Sequence, residues 1–119
     1  MIKYIKMVPK EVNYNLVSKE ILKFLKMYKF SQGIEEEFIT QEDVIFWLKI
    51  NFNIWTYCRP SATDNTWEFV VNTLSPNKLQ KVGKIENSPE AAINSSLLYI
   101  FNTIIPVIYH YKFTLNDKD

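Results

Sequence analysis

Glycine is nearly missing from this chain of 119 residues: Gly33 and Gly83 are its only two. Loops that bring backbone amides onto phosphate need several, so dinucleotide and Walker-type nucleotide sites are excluded. Cysteine is rarer still, and the lone Cys58 cannot form an intramolecular disulfide. A fold that needs no oxidising compartment is expected in the cytoplasm. With one histidine, His110, and no close-spaced ligand pair, a metal ion would have to be held almost entirely by carboxylates, and no metal or other cofactor is expected. Charge of one sign is also lacking. Fourteen Lys and Arg against 13 Asp and Glu leave a net charge of +1, without the positive excess that nucleic-acid or anionic-membrane binders carry. Long hydrophobic runs do not occur either. Residues 97–111 are the most apolar stretch, interrupted by Asn102, Thr103 and Pro106 and shorter than the roughly 20 residues of a membrane span. They read as core. Residues 1–10 have no apolar centre of signal-peptide length, and no repeat is detectable along the chain.

What the chain does have is bulk. Hydrophobic residues make up 47% of it and aromatic rings 15%, with three Trp, seven Tyr and eight Phe. Large rings let a short chain bury much apolar area, and a near-neutral, apolar composition is the opposite of a disordered one. One domain over residues 1–119 is expected, residues 1–17 forming a leader and 116–119 a polar tail with less order.

Val17, Ile21, Phe24, Leu25 and Tyr28 recur at helical spacing and predict a first helix over about 18–30, with Ser18 as its N-cap. Residues 31–37 are polar and contain Gly33, which predicts a loop. Thr40-Gln41-Glu42-Asp43 has the form of a capping box and predicts a second helix, with Val44, Trp47 and Leu48 inward and Asn53 as terminator. Period-two alternation then predicts strands over 54–59 and 66–73, separated by turn residues in 60–65, and a weaker edge strand over 79–85 containing Gly83. Ser88-Pro89-Glu90 starts a last helix. Ile93, Leu97, Ile100, Phe101 and Ile104 line its inner face, and Pro106 is expected to end it. Alternation over 107–115 predicts a possible fourth strand. The expected class is α+β: a small antiparallel sheet of three strands, possibly four, packed with two to three helices.

Phe24-Leu25-Lys26-Met27-Tyr28-Lys29-Phe30, the run from Val44 through Trp47 and Leu48 to Ile54, Trp67-Glu68-Phe69, and Ser88-Pro89-Glu90-Ala91-Ala92-Ile93 together resemble a set of small proteins carried by phages, prophages and mobile elements of Bacteroidetes-type gut bacteria. The likeness spans residues 18–105 and excludes the two ends. It implies the order helix, helix, strands, helix and a bacterial or phage origin, and it assigns no activity and no site residues.

Four candidate sites follow from residue chemistry. Cys58 and His110 would make a nucleophile and base if the fold brought them together with a third group orienting the imidazole, but a small buried thiol and an outward histidine explain them as well. Glu35, Glu36 and Glu37 are consecutive, so they point apart rather than converge on a cation, as a solvated acidic run does. Lys19, Lys23, Lys26 and Lys29 form one stripe of the first helix, a surface that could track phosphates or serve as the polar side of an amphipathic helix. Trp55, Tyr57, Trp67 and Phe69 are expected to form one aromatic strand face, mostly core, with bases or a protein as its possible ligands. The element order over 40–105 is also that of double-stranded-RNA-binding domains. Those domains resemble one another in lysines at the start of the final helix, where this chain has Ser88, Pro89, Glu90 and Ala91.

These observations lead to the expectation of a non-enzymatic protein-binding or accessory factor encoded by a phage or mobile element. The alternative is a nucleic-acid-binding domain using the Lys19, Lys23, Lys26 and Lys29 stripe. A membrane partner is not expected.

Overall fold

A computed structural model describes residues 16–28, 30, 33–73 and 79–108. Helix α1 runs Lys19–Met27, α2 Gln41–Phe52 and α3 Pro89–Tyr99, with strands β1 (Ile54–Pro60), β2 (Trp67–Thr73) and β3 (Leu79–Glu86) between α2 and α3. The three strands form one antiparallel sheet in the order β1-β2-β3. The class is α+β.

Local chemistry explains each helix start and the end of α2, while α1 ends at Met27, short of the expected residue 30. The Ser18 side chain accepts from the Ile21 amide at 3.3 Å and opens α1. At α2 both halves of the capping box are present: Thr40 Oγ1 accepts from the Asp43 amide at 3.3 Å, and Asp43 Oδ2 accepts from the Thr40 amide at 2.9 Å. Asn53 closes α2 in the left-handed region (φ 55°), which Asn tolerates better than most side chains. Ser88 Oγ accepts from the Ala91 amide at 3.1 Å, with Pro89 in the first turn where its missing donor costs nothing. Residues 31–37 were expected to be loop throughout; a short 3-10 turn, Glu36–Phe38, begins inside that range.

The core lies between the helices and one face of the sheet. Ile21 and Leu25 of α1, Val44, Trp47 and Leu48 of α2, Phe69 and Val71 of β2, and Ile93, Leu97, Ile100, Phe101 and Ile104 are buried together. Trp47, Phe69, Ile93, Leu97 and Phe101 are buried as their spacing predicts, while Trp67 is only half-buried at the start of β2.

Two expectations are corrected. Pro106 does not end the last helix. The chain passes from α3 into a π-helical turn, Ile100–Ile104, and stays helical through residue 108. The Ile105 amide reaches back to the Ile100 carbonyl, and this widened turn directly before Pro106 gives its ring room against the preceding carbonyls. Val107 and Ile108 are therefore helical rather than the start of a fourth strand, and the remainder of that proposed strand lies outside the described residues. Pro89–Ile108 is long and apolar enough to cross a membrane by length and composition. Its apolar stripe is nonetheless spent on the protein's own core, which makes it the central helix of a globular fold.

The second correction concerns the aromatic face. Residues directly opposite in an antiparallel pair share a face. Cys58 pairs with Phe69 and Thr56 with Val71, whereas Trp55 pairs with Asn72 and Tyr57 with Val70. Trp55 and Tyr57 thus lie on the face opposite to Phe69 and are 43% and 45% exposed. They do not belong to the core.

Candidate functional site

A groove of about 740 Å³ lies between Ile45 and Lys49 of α2 and the end of the sheet where β1 starts; its wall takes Trp55, Tyr57 and Gln80 from the far face, and Leu79, which pairs with Thr73, from the helix-facing side. The pairings Trp55 with Asn72 and Asn72 with Gln80 place an indole and two amides in one row across all three strands. The Lys49 ammonium sits 3.9 Å from the centroid of the Trp55 ring, held over its negative face. Trp55 Nε1 donates to Asn53 Oδ1 at 3.3 Å, so the residue that closes α2 also orients the indole. Apolar surface continues around α2 to Phe46 and Ile50, both exposed. The helix is hydrophobic on nearly every side, a pattern that normally means burial on every side.

Cys58 is half-buried on the helix-facing side of β1, and His110 lies outside the described residues. Burial pushes the Cys58 thiol above its ordinary value, and the negative charge of Glu90 adds to the rise, against a smaller opposing backbone hydrogen bond. A raised thiol carries less nucleophilic thiolate at neutral pH. Labelling of the folded protein with Ellman's reagent should accordingly be slow at pH 7 and climb only above the ordinary thiol range of about 8.5; fast labelling at pH 7 would contradict this environment. Because the folded state holds this proton to higher pH than the unfolded one, the associated stability is complete below the unfolded thiol pKa. It is lost as pH rises through the folded value.

Glu35, Glu36 and Glu37 are all exposed, and Glu36 pairs with Lys26 at 3.2 Å. No group of three or more His, Cys, Asp or Glu among the described residues is placed to hold a metal ion. Lys19, Lys23 and Lys26 are exposed along α1, with Lys26 partly neutralised by Glu36; Lys29 lies outside the described residues. At the start of α3, Glu90 is exposed in the first turn, and its carbonyl accepts from the buried Gln41 side chain at 2.9 Å. The order α2, β1, β2, β3, α3 is the one expected, yet element order alone carries no RNA-binding function.

No family model, curated protein or solved structure matches this chain.

The groove therefore has to be read from its own chemistry. Sequence reasoning grouped Trp55 and Tyr57 with the core because both parities of β1 are apolar or aromatic. The signal that could have separated them is Thr56 and Cys58: small side chains that fit under helices, alternating with large amphipathic rings that tolerate water at one edge.

Proposed function

We propose that this protein is a non-enzymatic binding factor that engages a protein partner through the groove between α2 and the end of the sheet that carries Trp55 and Leu79. The observation that carries the reading is the exposure of Trp55 and Tyr57, side by side on one strand face. Tryptophan and tyrosine dominate the energetics of protein interfaces, and apolar surface that continues onto Phe46 and Ile50 is what an interface core requires. The likeness noted from the sequence supports a phage, prophage or mobile element of Bacteroidetes-type bacteria as its source. The cytoplasm suits a chain whose one thiol needs no partner.

Affinity capture from a bacterial lysate, run in parallel with wild type and a Trp55→Ala/Tyr57→Ala variant, tests this. Both side chains are half-exposed, so the variant should lose about 1 kcal/mol of stability or less. Partners that bind purified wild type directly should be lost with the variant. Partners retained by this variant, and lost instead with Lys19, Lys23 and Lys26 all changed to glutamate, would move the interface to α1. Nuclease-sensitive capture of that second kind would favour the nucleic-acid alternative, for which the exposed α1 lysines are the supporting feature.

A further inference from the structure

Resting on that reading, we infer that the groove accepts an acidic peptide segment, one that seats an apolar side chain between Ile45, Trp55 and Leu79 and sets a carboxylate against Lys49. Among the described residues that line the groove, Lys49 is the only charged one. Elsewhere on the sheet Arg59 meets Glu68 at 3.5 Å and Lys84 meets Glu86 at 3.7 Å, and the Lys81 ammonium lies 5.7 Å from the Tyr99 ring centroid. Lys49 has no carboxylate partner among the described residues, and its ammonium rests on the Trp55 ring. That contact fixes the ammonium in place while leaving the side away from the ring for an anion. A pre-positioned charge loses little freedom on binding, and an ammonium–carboxylate hydrogen bond is among the stronger polar contacts.

The amides of the row extend the match. The side chains of Asn72 and Gln80 lie opposite one another and make no hydrogen bond among the described residues. Each offers both donors and an acceptor, which complements the alternating N–H and C=O groups of a peptide backbone. Single-stranded nucleic acid fits less well. It needs cations repeated along the strand and free ring faces for stacking, whereas the described groove residues include one cation, and that cation already covers one face of the Trp55 ring.

The test is selection from a random peptide display library on the purified chain, followed by titration of the selected peptides into ¹⁵N-labelled protein. The chain has three tryptophans, and the Trp55 indole N–H is the groove's own reporter, since Trp47 is buried in the core and Trp67 is half-buried on the other face. Selected peptides should be rich in Asp or Glu beside Leu, Ile, Phe or Trp, and they should shift the Trp55 indole resonance. They should bind Lys49→Glu about tenfold more weakly or worse. The same binding should weaken on going to about 1 M salt, where screening acts within about 3 Å. Lys49 is exposed, so an unchanged melting curve for the variant guards against misfolding. Peptides that shift Trp55 but show no acidic bias, or bind Lys49→Glu equally well, would overturn the acidic ligand and leave the groove reading standing. Selected peptides that leave Trp55 unmoved, or a library yielding no binder, would overturn both. An oligo(dT) probe that shifts Trp55 and is lost with Lys49→Glu would replace the peptide by nucleic acid.

Discussion

Phe101→Ala is expected to cost about 3 to 5 kcal/mol, a large part of the roughly 5 to 15 kcal/mol that holds a domain of this size together. Phe101 is fully buried in the π-helical turn that continues α3, and three other rings converge on it. Phe24 stacks at 5.4 Å with planes 7° apart, Tyr28 at 6.0 Å and Trp47 at 6.4 Å. The ring thus joins α1, α2 and the last helix at one point, and its removal leaves a cavity bordered by all three. Trp47 is further wedged edge-on by Phe30 and Phe52, which limits how far neighbours can collapse into the space. Urea unfolding at equilibrium measures the loss. A cost below about 1 kcal/mol would mean that the three helices do not depend on this ring, and the packing scheme would have to be redrawn.

Gly83→Val should destabilise by about 1 to 3 kcal/mol, although strand propensity argues the other way. Valine is favoured in strands and glycine disfavoured, so an exposed glycine in an edge strand would be improved by the change. Gly83 is different because Phe69, its direct partner in β2, lays its ring across the glycine. A Cβ at position 83 would lie only 2.0 Å from Phe69 Cζ, far inside van der Waals contact. Phe69 cannot simply swing away, since it is buried and packs against Tyr99 at 6.0 Å. A double-mutant cycle separates the two effects: with Phe69→Ala in the background the cost of Gly83→Val should shrink or change sign, giving a coupling of about 1 kcal/mol or more. Strict additivity would show that the ring and the glycine do not constrain one another.

The glycine was legible in the sequence as a weak point of β3, but not as a seat for a ring. Its meaning depends on a residue fourteen positions earlier, reached only when β2 and β3 pair. The same holds for the groove. Lys49 and Trp55 are separable in the sequence as a helix residue and a strand residue, and nothing local brings an ammonium to an indole. The left-handed turn at Asn53 does so, by folding β1 back beside the end of α2.

What the sequence determined by itself is everything that depends on neighbours within a few residues. Ser18, the Thr40 and Asp43 box and Ser88 each satisfy backbone amides at a helix start through a side chain close in the chain, and Asn53 closes α2 in the left-handed region, so the three helix starts and the end of α2 could be read directly. Period-two alternation located the three strands to within a residue at each end. Tertiary structure alone decided which face of β1 is inside: Ile54, Thr56 and Cys58 compete with Trp55 and Tyr57, and only the pairing with β2 settles the parity. It also decided the path through Pro106. A proline stops an isolated helix because of its local clash, but here Ile100, Phe101, Ile104 and Ile105 are all buried. Keeping those four side chains in the core outweighs the irregularity of one widened turn, because apolar burial is worth about 1.5 to 3 kcal/mol per large side chain.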